Sequence, residues 1–124
     1  MPAYIIFAED DEANAKLIDE MIQILGHHSS RAKDGLEVLT LVKDQLPDLI
    51  LLDMEMPVLD GVEALHRLRC DLRLQNTPIL GMSGNLVRTR QDYLKLGFAD
   101  FLPKPFGLAK LRESLAGVLP GLRS

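Results

Sequence analysis

Carboxylate, hydroxyl and ammonium side chains follow four of the short apolar runs in this sequence, at the point where each run ends. They are Glu9, Asp10 and Asp11 after the first run, Asp53 and Glu55 after a run of isoleucine and leucine, Ser83 after the next and Lys104 after the last. Crowded carboxylates repel one another and raise each other's proton affinity unless a hard cation lies among them. If these runs are strands of one sheet, the set predicts a divalent-metal site, and Mg²⁺ is the natural ion.

Each of these residues has an ordinary structural explanation when it is taken alone. Asp10 or Asp11 would suit a helix N-cap, and Asp53 would suit a turn. Ser83 would serve as another cap, and Lys104 as an exposed loop charge. Their expected convergence favours a functional site over these separate roles, but for Asp11 the cap of the first helix remains the better interpretation.

Short apolar runs alternate with longer amphipathic segments along the chain, which is typical of parallel strands covered by helices. The predicted strands span 3–8, 27–32, 48–53, 77–83 and 99–102. The predicted helices span 12–25, a segment opening at 34–35, a segment after Pro57, 86–96 and 106–119. The core faces of the first three helices are expected to include Leu17, Leu36 and Leu72.

Right-handed crossovers between such strands give an α/β, three-layer, doubly wound fold. In this architecture ligands bind outside the carboxyl ends of the strands, where the winding direction reverses. The chain has 124 residues, 47% of them hydrophobic and 26% charged, so we expect residues 1–124 to form one globular domain.

Charge and composition argue against several classes of function. Fourteen Lys and Arg against 18 Asp and Glu give a net charge of -4, so direct nucleic-acid binding is not expected. No apolar run approaches the roughly 20 residues that span a bilayer. A single cysteine, Cys70, expected to be at least half-buried, argues against a disulfide framework, and we expect a cytoplasmic protein without membrane contact. The acidic loop EDDE also lacks the glycine or hydroxyl residues of a flavin or dinucleotide phosphate site.

Four segments in register give a specific resemblance that covers essentially the whole chain. FAEDD, LILLDMEMPVLDG, PILGMSG and FADFLPKPF resemble the receiver domain of bacterial two-component response regulators, the CheY-like superfamily. The resemblance implies a flavodoxin-like (βα)5 sandwich with a parallel five-stranded sheet in the order 2-1-3-4-5. It also implies a phospho-accepting signalling domain of a His-Asp phosphorelay rather than a conventional enzyme.

The resemblance assigns a role to each residue at the strand ends. Asp53 is implied as the phosphoacceptor and Lys104 as a cation for the phosphoryl group. Mg²⁺, or Mn²⁺ in its place, would be bound by Asp10, Asp53, the backbone carbonyl of Glu55 and, through water, Glu9. Few carboxylates and several waters suit Mg²⁺.

Further implied roles concern switching and phosphate lifetime. Ser83 and Phe101 match the hydroxyl and aromatic switch residues, while Glu55 and Asn85 match positions that modulate dephosphorylation. The peptide between Lys104 and Pro105 is expected to be cis. The flanking glycines at 81 and 84 suggest a loose loop around the switch residue.

The implied phosphoryl donor is a sensor histidine kinase or a histidine phosphotransfer protein. A downstream protein would bind the face made by the fourth helix, the fifth strand and the fifth helix. Val87, Tyr93, Phe101 and Leu102 are expected to lie near this face. A phosphorylation-linked homodimer is a further expectation. Two alternatives stay open: a haloacid-dehalogenase-like aspartyl phosphatase, which would place its nucleophile on the first strand, and a receiver-like module that binds partners without phosphate.

Overall fold

The structure is a computed structural model that describes residues 2–119; the outermost parts of the predicted 1–124 domain lie outside this range. The described residues form five strands and five helices. In chain order these are β1 Tyr4–Ala8, α1 Glu12–Ile24, β2 His28–Ala32, α2 Gly35–Asp44, β3 Leu49–Asp53, α3 Gly61–Arg69, β4 Ile79–Ser83, α4 Arg90–Leu96, β5 Asp100–Pro103 and α5 Leu108–Val118. A 3₁₀ turn, Leu72–Leu74, follows α3. Within 2–119, none of the helices combines the length and apolar character that crossing a bilayer requires.

All strands are parallel and lie in the order β2-β1-β3-β4-β5, which confirms the predicted topology. The winding direction reverses between β1 and β3, where Ala8 pairs with Leu52. The next residues, Glu9 and Asp53, therefore lie side by side at the carboxyl edge of the sheet. The fold thus delivers two acidic residues to its own switch point.

The sheet is covered on both faces, so its central strand is fully buried. One apolar cluster packs the sheet against α2, α3 and α4, and the other packs it against α1 and α5. Burial on both faces explains why the sequence of β3 is a continuous apolar run instead of an alternating one.

Aspartate or threonine side chains cap the first turns of α1, α2, α3 and α4. Asp11 accepts a hydrogen bond from the backbone N–H of Asn14 (2.9 Å), which is the cap expected for α1. Thr89 and Asp92 form a reciprocal capping box. This cap starts α4 at residue 90, so the prediction of a helix from residue 86 was wrong.

Several predicted core positions are exposed instead. Leu17, Leu36 and Leu72 are 52%, 43% and 80% exposed. Leu72 is displaced because α3 ends at Arg69 and the chain enters the 3₁₀ turn, whose buried residue is Leu74. Cys70 at the end of α3 is also exposed, contrary to expectation.

Candidate functional site

Three carboxylates meet at the carboxyl ends of β1 and β3. Glu9, Asp10 and Asp53 each place an oxygen within 4.8 Å of the others. Glu9 and Asp53 are buried, with 1% and 2% exposure, whereas Asp10 is open to solvent. Oxygen donors at this spacing, with one side open for water, suit a hard divalent cation such as Mg²⁺.

Lys104 brings a positive charge to two of these carboxylates. Its Nζ donates to Oε1 of Glu9 at 2.8 Å and to Oδ2 of Asp53 at 3.0 Å. Burial raises the pKa of Glu9, and the hydrogen bond from Lys104 offsets that only in part. Burial by itself would lower the pKa of Lys104, but its hydrogen bonds to both carboxylates outweigh that effect and raise it.

The backbones of these residues are held because the strand ladders continue past the strand ends. Glu9 N–H donates to the carbonyl of Ala32 at 3.0 Å, and Lys104 N–H donates to the carbonyl of Ser83 at 2.8 Å. The peptide between Lys104 and Pro105 is cis. The side chains thus extend from a rigid edge and not from free loops.

Asp53 is fixed at both carboxylate oxygens. Oδ2 accepts from Lys104, and Oδ1 accepts from the backbone N–H of Glu55 at 3.1 Å. The start of α3 lies close by, and a Cβ added at Gly61 would fall 2.9 Å from the Asp53 carbonyl oxygen and 2.8 Å from Sδ of Met54. Glycine at position 61 therefore lets α3 start directly over the end of β3.

Ser83 at the end of β4 is engaged by a residue from the β3–α3 loop. Its hydroxyl donates to the Glu55 carboxylate, with oxygens at 2.7 and 2.8 Å, and accepts from the backbone N–H of Asn85 at 2.9 Å. Ser83 is 1% exposed, whereas the Glu55 side chain lies at the surface. Ser83 and the two predicted rate-modulating residues, Glu55 and Asn85, thus form one hydrogen-bonded set.

The predicted switch aromatic, Phe101, is stacked on Tyr93 of α4. Their ring centroids are 4.1 Å apart with an interplanar angle of 6°. Of the residues expected near the α4–β5–α5 face, Tyr93 and Leu102 are buried (1% and 0% exposed), whereas Val87 is 84% exposed. A Cβ added at Gly81 would lie 3.2 Å from the Tyr93 ring, so this glycine belongs to a tight contact and not to a loose loop.

Sequence reasoning missed Arg31, on the edge strand β2. Its Nε donates to the Glu9 carbonyl at 3.0 Å, and its Nη2 donates to the Asp10 carbonyl at 3.2 Å. These bonds brace the acidic loop from the side opposite to Lys104. A signal was present, because Arg31 comes one residue before the end of the strand that neighbours β1.

The fold and this site define a class of protein: a doubly wound α/β domain with an acidic cation site and a paired lysine at the switch point. The family described as "Response regulator receiver domain" matches residues 5–116. The chain belongs to this family, and it is a phospho-accepting signalling domain of the two-component kind. Neither a haloacid-dehalogenase-like phosphatase nor a phosphate-independent module is favoured by this match.

Individual relatives are similar over nearly their full length. The polar-differentiation response regulator DivK of Brucella anthropi is 28% identical over 120 residues, which are 96% of this chain and 98% of the relative. The receiver domain of a Pseudomonas aeruginosa sensor histidine kinase, solved with a magnesium ion in its active-site cleft, is 30% identical with a TM-score of 0.86 and coverage of 95% and 98%. Chemotaxis response regulator CheY4 of Vibrio cholerae is 27% identical with a TM-score of 0.88 and coverage of 96% and 100%.

Proposed function

We propose that Asp53 accepts a phosphoryl group from a phosphohistidine of a partner protein, either a sensor histidine kinase or a histidine phosphotransfer protein. The observation that carries this proposal is the setting of the buried Asp53 carboxylate. A lysine ammonium lies 3.0 Å from its Oδ2, and two further carboxylates lie within cation-sharing distance. Phosphoryl transfer needs this combination of one nucleophilic oxygen with fixed positive charge beside it.

Transfer forms a bond from an Asp53 carboxylate oxygen to phosphorus while the bond from phosphorus to the donor imidazole nitrogen breaks. The transition state is loose, so catalysis depends mainly on positioning the reacting groups and on neutralising the charge of the phosphoryl oxygens. Lys104 contributes one charge, and the hydrogen bond from Glu55 N–H orients the carboxylate. A bound Mg²⁺, for which Mn²⁺ would substitute, supplies further positive charge. Its ligands would be Asp10, Asp53, the backbone carbonyl of Glu55 and, through water, Glu9.

The acyl phosphate adds roughly two negative charges and strong acceptor oxygens. The Ser83 hydroxyl would donate a hydrogen bond to one of these oxygens. The Phe101 ring would then turn inward, toward the space behind Ser83. The resulting change in the α4–β5–α5 face would recruit a downstream protein or a second phosphorylated copy of the chain. Glu55 and Asn85 would flank the path of the water that hydrolyses the phosphate.

Labelling by acetyl phosphate tests this assignment. Intact-protein mass spectrometry should detect one added phosphoryl group in the presence of Mg²⁺ and none with EDTA. Asp53→Asn should abolish the label, because an amide cannot attack phosphorus as a carboxylate does. Undiminished labelling of this variant would contradict the role of Asp53.

Two neighbouring aspartates provide a matched comparison for the metal ligands. Asp10→Asn should raise the Mg²⁺ concentration needed for labelling, because it removes a charged ligand. Asp11→Asn should leave that concentration unchanged, since Asp11 caps α1 and asparagine caps equally well. Equal effects of the two substitutions would argue against a specific site for Mg²⁺ at Asp10.

A further inference from the structure

The Glu55 carboxylate holds the hydroxyl that a phosphoryl group on Asp53 would require. Both oxygens of Glu55 lie within 2.8 Å of Ser83 Oγ. Resting on the function proposed above, we propose that Glu55 is a positioning residue that acts through Ser83. It competes with the phosphoryl group as the acceptor of the Ser83 hydrogen bond. This competition sets how readily Ser83 changes its partner when Asp53 is phosphorylated.

The competition follows from the hydrogen-bonding capacity of a serine hydroxyl, which has one proton to donate. In this structure the nearest acceptors to Oγ are the two Glu55 carboxylate oxygens, at 2.7 and 2.8 Å against 3.3 Å for the Asn85 carbonyl, while a lone pair of Oγ accepts from the backbone N–H of Asn85. Ser83 can therefore donate to a phosphoryl oxygen only after it has released the carboxylate. Hydrogen bonds to ionised groups are stronger than those between neutral groups, so breaking the bond between Ser83 and the Glu55 carboxylate costs free energy.

The geometry allows Glu55 to leave without disturbing the rest of the site. Its backbone N–H stays bonded to Asp53 Oδ1, while its side chain lies at the protein surface and can turn into water. Ser83, in contrast, is buried at the end of a strand. The mobile partner is thus Glu55, whereas Ser83 is held at the end of β4, one residue past Met82, which pairs with Asp53.

A second role for Glu55 would also affect phosphoryl binding, namely simple repulsion between its charge and the phosphoryl charge. The two roles differ in one respect. Repulsion acts whether or not residue 83 has a hydroxyl, whereas competition for the proton requires it. A double-mutant cycle between positions 55 and 83 separates them, because it measures the part of the effect that depends on both side chains.

The test measures the affinity for beryllofluoride, a phosphoryl mimic, by calorimetry at saturating Mg²⁺. The proteins are the wild type, Glu55→Met, Ser83→Ala and the double variant. Methionine keeps the length of the glutamate side chain, but its thioether is uncharged and only a weak acceptor. Glu55→Met should bind the mimic roughly tenfold more tightly than the wild type. In the Ser83→Ala background the same change should have less than about a twofold effect.

Glu55→Gln adds an internal comparison. It removes the charge but keeps a neutral acceptor, so its gain in affinity should be smaller than that of Glu55→Met. Equal gains for glutamine and methionine, or equal gains with and without the Ser83 hydroxyl, would establish repulsion and overturn the proposal. Unchanged affinity in all Glu55 variants would overturn it as well.

The outcomes also distinguish this inference from the proposed function. Asp53→Asn should lose beryllofluoride binding while the Glu55 variants keep it. A wild-type protein that fails to bind the mimic would contradict both ideas. Normal binding that depends on Asp53, with no coupling between positions 55 and 83, would contradict only the role of Glu55.

Discussion

Glu9 and Lys104 lie 95 residues apart in the sequence, yet the Lys104 ammonium donates to Oε1 of Glu9 at 2.8 Å. The Glu9 side chain is 1% exposed and that of Lys104 is 20% exposed, so little solvent screens the pair. The same ammonium bonds to Asp53. One ammonium therefore bonds to two buried carboxylates and links β1, β3 and the residue after β5 at the functional edge of the sheet.

Replacing Lys104 should lower the stability of the metal-free protein. Lys104→Met removes the only positive charge bonded to these two carboxylates among the described residues, and we expect it to lower the free energy of unfolding in EDTA by about 2 kcal/mol. Added Mg²⁺ should restore part of the loss, because it would replace the missing charge. Urea unfolding checks this, with the exposed Lys95→Met as the control that changes stability little. Equal losses at both lysines would contradict the expectation.

The contact between Gly81 and Tyr93 can be tested with a pair of glycine substitutions. Gly81→Ala places a Cβ 3.2 Å from the Tyr93 ring and 3.3 Å from Sδ of Met54, so it should destabilise by about 1–2 kcal/mol. At Gly84 the nearest atom to an added Cβ is 3.8 Å away, and Gly84→Ala should change stability by less than about 0.5 kcal/mol. Thermal unfolding of both variants measures the difference. A neutral Gly81→Ala would show that the Tyr93 ring can shift freely.

Much of the site could be predicted because parallel strands end at one edge. Asp53 and Lys104 had only to follow their strands for topology to bring them together. The contact between Glu55 and Ser83 was out of reach, since it depends on how a loop directs one side chain. Arg31 was missed for a related reason: its position near the end of β2 places it beside β1, but it acts by donating to backbone carbonyls, and the sequence does not reveal those acceptors.

Competing local hydrogen bonds explain why the predicted start of α4 was wrong. The apolar spacing from residue 86 resembles a helix, but the Asn85 side chain accepts from Val87 N–H at 3.0 Å and holds the chain in a turn. The capping box at Thr89 then starts α4 later. Periodicity alone does not reveal which of two local hydrogen-bond patterns is adopted.

His27 should make stability depend on pH. The residue is 7% exposed, and its Nδ1 accepts from the backbone N–H of Ala3 at 2.9 Å, which requires an unprotonated nitrogen. Burial, with smaller contributions from the N-terminal charge and His28, lowers the pKa of His27 below its ordinary value of 6.5. The unfolded chain then binds a proton that the folded chain does not, so stability falls as the pH drops below about 6.5.

Substitutions at the two adjacent histidines check this pH dependence. His27→Asn keeps an acceptor for Ala3 but cannot titrate, and urea unfolding should show a shallower loss of stability on acidification. The difference in slope should approach about 1.4 kcal/mol per pH unit where one proton is taken up. His28→Asn, at an exposed position, should keep most of the wild-type slope, because His28 contributes only a small part of the lowered pKa of His27. Identical slopes for wild type and His27→Asn would exclude His27 as the source.

Val58 has a positive φ of 69°, which is unfavourable for a β-branched residue. Leu59 N–H donates to the Pro57 carbonyl at 2.7 Å across it, so the three residues form a γ-turn. Because Val58 is 74% exposed, replacing it removes little packing. Val58→Asn should raise the free energy of unfolding by about 1 kcal/mol, whereas Val58→Ala should gain less. Denaturant titration measures both, and a less stable Val58→Asn would argue against strain at this turn.

Ser114 on α5 has a buried Oγ without a hydrogen-bond partner among residues 2–119. An unsatisfied buried hydroxyl is unfavourable, and alanine is also the better helix former, so Ser114→Ala should raise the free energy of unfolding by about 1 kcal/mol. Ser30→Ala is the contrasting variant, because Ser30 Oγ accepts from the Tyr4 hydroxyl at 2.9 Å and its loss should destabilise. Chemical denaturation should therefore move the two midpoints in opposite directions. A loss of stability in Ser114→Ala would indicate that its hydroxyl has a partner in solution.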